Sequence, residues 1–347
     1  MVLGDLGADV IKVERPTSGD DTRAWGPPFD ERGESAYYLS INRNKLSIAA
    51  DLGRAVDRAL VVQLIERADV VVENFLPGTL EQAGIDSRHL LRGNSRLVWC
   101  SITGFGAGSR RPGYDYVVQA EAGWMAITGE PGGEPMKTGV ALADILAGKD
   151  AAIAVLAALS GRDRGVSIDR FIAISLAESA RAALTNVAQN ALLSRTEAAR
   201  WGNAHANLVP YQLFRASDRA IVIAVGNDDQ WRGCVRALGL DAMGSDVRLA
   251  TNAGRLTHRD LVISALARVI ATRTAAEWIQ ALDVARVPCG VVKSVLEAIQ
   301  DASEASPLTG MPSSVGGKVR FAPPRLDEHG ELIRRCGWDA FETLPFN

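Results

Sequence analysis

Asp144 is the side chain whose surroundings best suit it to covalent chemistry. It lies in Thr138-Gly-Val-Ala-Leu-Ala-Asp-Ile-Leu-Ala-Gly148, small and apolar residues just ahead of an Ala-rich helical stretch. Two readings stand side by side. An aspartate there can simply cap the helix, which stabilises by about 1 kcal/mol. Alternatively, the small neighbours leave room for a ligand, partial desolvation makes the carboxylate a better nucleophile, and the helix N-terminus keeps it ionised. Other chemistries find little support. His89, His205, His258 and His329 are far apart, in polar contexts that read as surface, and match no metal or triad spacing. No Gly-x-Ser-x-Gly elbow occurs. Gly104, Gly106 and Gly108 follow a strand pattern, but Ser109, Arg110, Arg111 and Pro112 stand where a dinucleotide fingerprint needs its third glycine and a helix. A plain turn is the better reading.

The elements that must position Asp144 alternate along the chain. Residues 8–13, 68–73 and 96–102 read as buried strands, and residues 54–67 and 147–159 as helices between and after them. A longer helix is predicted over 176–193. This spacing implies a doubly wound α/β sheet, in which ligands bind beyond the carboxyl ends of strands. The turns 74–78 and 103–108 fall there. A later block, with strands at 220–225 and 287–292 and helices at 228–238, 259–272 and 275–285, reads as a smaller α/β unit. Loop composition marks 201–210 and 306–325 as connectors. The first residues look like the tail of a helix stopped by Gly7, which predicts a segment upstream of Met1.

Composition narrows the function classes. The 347 residues carry 38 Lys+Arg against 41 Asp+Glu, a formal charge of −3, with no basic stripe for nucleic acid. The longest apolar run, 151–159, is too short to span a bilayer. Four scattered cysteines, Cys100, Cys234, Cys289 and Cys336, fit neither a zinc site nor a disulfide framework and suit a reducing cytoplasm.

Several stretches, in one order over almost the whole length, then carry a resemblance: GDLGADVIKVERP (4–16), GDDTR (19–23), NRNKLSI (42–48), ADVVVENFLPG (68–78), SITGFG (101–106), GYDYVVQAEAG (113–123), ALADILAG (141–148), GNAHANLVPYQLF (202–214), GNDDQW (226–231) and APPRLDEH (322–329). The chain resembles the class III CoA-transferases, the family of formyl-CoA:oxalate and carnitine CoA-transferases, which also holds α-methylacyl-CoA racemase. The resemblance implies an α/β fold with a Rossmann-like large domain and a smaller α/β domain. The large domain would take residues 1–200 and a return segment, 305–347, the small domain 215–300, and two chains would interlock as a homodimer. It implies that Asp144 is the catalytic aspartate, that Arg15, Asn74, Phe75 and Leu76 line the coenzyme A site, and that Tyr114 and Asp115 lie beside the acyl group. Acyl-CoA and a small carboxylic acid, short dicarboxylates such as succinate first, would be the substrates. No metal or permanently bound cofactor is implied, nor a membrane or nucleic-acid partner, and the location would be cytoplasmic.

Departures from the family pattern also shape expectation. Family members begin further upstream, with a strand and a Gly-Pro loop that touches coenzyme A, and Ala206 stands where a proline often follows the histidine. The glycine-rich lid of the formyl-CoA branch is not apparent, which disfavours that substrate. The alternatives are a 2-methylacyl-CoA racemase and an inactive CoA-binding homologue. In the racemase branch a histidine base falls at Tyr114, and a phenol is a poor base at neutral pH.

Overall fold

The computed structural model describes residues 1–344. Short runs of β-branched and apolar residues form eight strands among them. Strands β1 (Ile11–Glu14) and β2 (Leu46–Ala49) pair in parallel, Ile11 opposite Leu46. Strands β3 (Val70–Glu73), β4 (Val98–Thr103) and β5 (Phe171–Ser175) form a second parallel sheet with β4 in the middle. Strands β6 (Tyr211–Arg215), β7 (Ala220–Ala224) and β8 (Cys289–Val291) make an antiparallel sheet. The fold is therefore mixed α/β. Among the described residues the parallel strands form two hydrogen-bonded sheets, not the single ladder that the alternation predicts.

The chain divides into two compact units. The first comprises Met1–Trp124, Lys137–Asn190 and Ile299–Asn347, the second Met125–Met136 and Ala191–Ala298. In the first, the helix Ala55–Glu66 serves both parallel sheets. Its Val61 and Ile65 pack with Ile85, Leu97 and Trp99, while Leu64 packs with Leu46, Ile48, Ile333 and Phe341. Each large side chain so buried stabilises by about 1.5–3 kcal/mol. In the second unit, the helices Asp228–Ala237, Arg259–Ile270 and Ala275–Val284 bury Trp231, Leu266, Trp278 and Leu282 against the antiparallel sheet. A Thr274–Glu277 capping box starts the last of these helices.

Two of the sequence motifs turn out to be stitching within the first unit. Arg43 meets Asp5 through two hydrogen bonds of 3.0 and 2.9 Å and donates to the carbonyls of Thr309 and Met311. Asn44 donates to Asp5 and to the Lys318 carbonyl, and accepts from the N–H groups of Arg320 and Phe321. Arg23 is buried between Glu14 and Glu34. Those charges are removed from water, and their pairing offsets a cost of several kcal/mol per ion.

Candidate active site

The helix carrying Asp144 spans Leu142–Asp163. Its inner face is small: Ala143 and Ala147 pack with Val118, Trp124, Ala177 and Ala180, and Ala151 and Val155 pack on Cys100 of β4. The helix begins earlier than its Ala-rich part suggests, so Asp144 lies inside the first turn and is not the N-cap. That position falls to Ala141, which offers no side-chain acceptor. The capping oxygen comes from elsewhere. Asp115 Oδ1 accepts the N–H of Ala143 at 2.7 Å and that of Asp144 at 3.4 Å.

Asp115 is presented by a loop whose glycines are structural. Gly104 and Gly113 touch backbone to backbone, since a Cβ on either would stand 2.6 Å from the other's Cα. Arg111 stacks on Phe105 at 4.1 Å and pairs with Glu121. Residues that spoil a dinucleotide fingerprint thus brace the loop leading into the helix Asp115–Glu121. Tyr114 is the N-cap of that helix, with an exposed ring.

The Asp144 carboxyl is reachable from solvent, yet the protein around it raises its pKa to about 6. Burial is the larger cause and the charge of Asp115 the second. The pull of the helix N-terminus toward the ionised form meets a counterweight: Asp115 accepts the amides of Ala143 and Asp144 and adds its own negative charge. At pH 7 a carboxyl of this pKa is still about nine-tenths ionised. Tyr37 lies alongside, its phenol raised by burial and then by Asp144 and Asp115. Trp25 meets Tyr37 edge-on at 5.0 Å and Tyr114 at 6.3 Å. Gly148, one helical turn beyond Asp144 on the same face, has open space where a Cβ would go. The arrangement is an accessible carboxylate with an aromatic wall, suited to attack on an electrophilic carbonyl.

Three members of this cluster went unnoticed in the sequence: Trp25, Tyr37 and Gln119. Only Gln119 carried a signal, its four-residue spacing from Asp115. The histidines also differ from expectation, since only His89 is exposed. His329 is half-buried, accepts the Ser47 N–H through Nδ1 at 3.3 Å, and has its pKa lowered by that burial. No group of three or more His, Cys, Asp or Glu among the described residues could hold a metal ion.

Comparison with known proteins bears on this geometry. The sequence profile of CoA-transferase family III matches residues 1–329. The chain belongs to this family. It is 42% identical over 313 residues to the succinate–glutarate CoA-transferase of Agrobacterium fabrum, covering 86% of this chain and 77% of that one. It is 37% identical over 354 residues to the succinyl-CoA:glutarate CoA-transferase of Mus musculus, covering 96% and 81%. The crystal structure of a CAIB/BAIF family protein from Brucella suis matches with a TM-score of 0.82 at 39% identity, covering 96% of this chain and 93% of that one. The protein is thus a family III CoA-transferase, an enzyme that moves CoA between an acyl-CoA and a carboxylate. In this transferase Arg15 follows β1, pairs with Asp21 and donates to the Gly19 carbonyl. Asn74, Phe75 and Leu76 follow β3 and are exposed, with Glu73 accepting the Phe75 N–H. Tyr114, Asp115 and Asp144 come together; Arg15 and the Asn74 turn lie on separate loops at strand ends.

Proposed function

We propose that the enzyme transfers CoA from a short dicarboxylic acyl-CoA, succinyl-CoA first, to a second short dicarboxylate such as glutarate, through a thioester on Asp144. The Asp144 carboxylate attacks the donor thioester carbonyl, forming a mixed anhydride and expelling CoA thiolate. The thiolate attacks the aspartyl carbonyl, giving the enzyme thioester and releasing the donor carboxylate. The acceptor carboxylate attacks that thioester, and the expelled thiolate then attacks the acceptor's acyl carbon, freeing Asp144. Acyl activation is conserved throughout, so no ATP enters. Anhydride and thioester must be shielded from water, and the aromatic wall of Trp25, Tyr37 and Tyr114 supplies apolar cover.

The observation that carries this reading is the placement of Asp144 in the first turn of a helix, reachable and ionisable at neutral pH. The names of the two relatives support the choice of acids. The resemblance assigns Arg15, near the nucleotide end, and the 74–76 turn to the CoA site; their positions after carboxyl ends of parallel strands, where such folds place ligands, support that assignment. We further assign the two parallel sheets to one Rossmann-like domain and the chain to a cytoplasmic, interlocked homodimer. Along the helix Leu142–Asp163, Ile145, Ile153 and Leu156 are exposed apolar side chains on one side, with Lys149 between the first two, for a partner copy to cover. The test is an assay of glutaryl-CoA formed from succinyl-CoA and glutarate. Wild type is expected to turn over and Asp144→Ala to lose activity by at least about a thousandfold; an Asp144→Ala enzyme that keeps its rate would contradict the assignment.

A further inference from the structure

We infer that Gln119 is a positioning residue for the nucleophile: it turns Asp115 so that one carboxylate oxygen closes the first turn of the helix 142–163 and fixes where Asp144 stands. The inference rests on the reading of Asp144 as the group that attacks the thioester. Gln119 is completely buried, one helical turn after Asp115. Its Nε2 donates to Asp115 Oδ2 at 2.6 Å and to the Val140 carbonyl at 3.4 Å. Its Oε1 accepts the Thr138 N–H at 2.9 Å and the Thr138 hydroxyl at 3.2 Å. Both amide hydrogens and the carbonyl oxygen of the carboxamide are thereby engaged.

The consequence falls on Asp115. With Oδ2 held by Gln119 and Oδ1 on the amides of Ala143 and Asp144, both oxygens are engaged and the χ2 rotation is fixed. Asp115 thereby acts as a cap reached across space. The same glutamine ties the 138–140 segment to the helix start, where the Leu142 N–H also bonds to the Val140 carbonyl. A helix whose N-cap is Ala141 frays without such a cap. A nucleophile three residues past the N-cap then loses the placement, within about 0.5 Å, that attack on a carbonyl demands.

The polarity of the pair can be reversed, which separates positioning from bulk stability. In Asp115→Asn the new amide group must meet a donor whichever way it turns, either Gln119 Nε2 or the helix amides. Adding Gln119→Glu to that variant removes the conflict at position 115, at the loss of the long 3.4 Å bond to the Val140 carbonyl. The amide oxygen introduced at 115 then faces the helix amides, and its nitrogen donates to the carboxylate introduced at 119. The second oxygen of that carboxylate still accepts from Thr138. With rates expressed per folded enzyme, Asp115→Asn is expected to lower kcat at least about tenfold, with KM for succinyl-CoA changed less than about threefold. The double variant Asp115→Asn/Gln119→Glu is expected to return kcat to within about threefold of wild type. Gln119→Met, which keeps volume but releases Asp115, should lose kcat in the same way. The inference is overturned if Asp115→Asn or Gln119→Met keeps the wild-type kcat, or if a folded double variant is no faster than Asp115→Asn. Failure of the Asp144 reading would look different: transfer would survive in Asp144→Ala.

Discussion

At the level of single residues, the proposed chemistry turns on one carboxyl held above its ordinary proton affinity. A nucleophilic Asp144 must be ionised, so kcat/KM should fall about tenfold per pH unit below a limb near 6, the pKa of Asp144 in the folded chain. Asp115 and the Tyr37 phenol are the titratable groups facing it, and of these Asp115 brings the negative charge. Removing its charge in Asp115→Asn should move the limb to lower pH; a limb left near 6 would show that Asp115 does not act on Asp144. Stability has the matching sign. A carboxyl whose folded pKa is raised binds its proton more tightly when folded, so its ionisation destabilises as pH rises from about 4 through 6. Asp144→Asn should therefore raise the melting temperature at pH 8 and leave it nearly unchanged at pH 4. Discounted for the accessibility of the group, the gain is about 1 kcal/mol. Asp144 stood out in the sequence because small residues surround it, but its proposed role came from the family resemblance. Trp25 and Tyr37 were not, because aromatic residues outside long periodic elements carry no pattern and only tertiary proximity makes them a wall.

At the level of elements, legibility follows length and pattern. The helix Ala55–Glu66 and strands β3 and β4 could be read from continuous apolar runs between turn residues. β2 and β5 could not: Leu46-Ser-Ile-Ala and Phe171-Ile-Ala-Ile-Ser are short, contain weak strand formers, and owe their conformation to strands far away in sequence. The predicted helix over 176–193 is two helices, Leu176–Ala182 and Thr185–Ser194, with Thr185 at positive φ where the second begins. Periodicity does not register such a break. The start of the helix 142–163 was misplaced for a related reason, since its cap comes from Asp115 and not from its own residues. The loop that delivers Asp115 depends on the Gly104–Gly113 contact. Gly104→Ala would press a methyl against backbone, costing about 1–3 kcal/mol in thermal unfolding and lowering activity beyond the loss of folded protein. An unchanged melting temperature would mean that the loop yields at no cost.

At the level of the whole molecule, the motifs around Arg23, Arg43 and Asn44 join sequence-distant segments of the first unit and are structural. The exposed Ile145, Ile153 and Leu156 lie on the helix that carries Asp144, so in the proposed dimer assembly and catalysis share one element. Light scattering behind size exclusion should give a mass of two chains, and Ile153→Arg should shift it toward one; a wild-type monomer would contradict the dimer. Intact-protein and peptide mass spectrometry of the enzyme mixed with succinyl-CoA tests the catalytic proposal most directly. The peptide holding Asp144 should gain the mass of CoA less one water and lose it when glutarate is added, and Asp144→Ala should gain nothing. Turnover by a wild-type enzyme that forms no such adduct, or forms it on another side chain, would contradict the proposal.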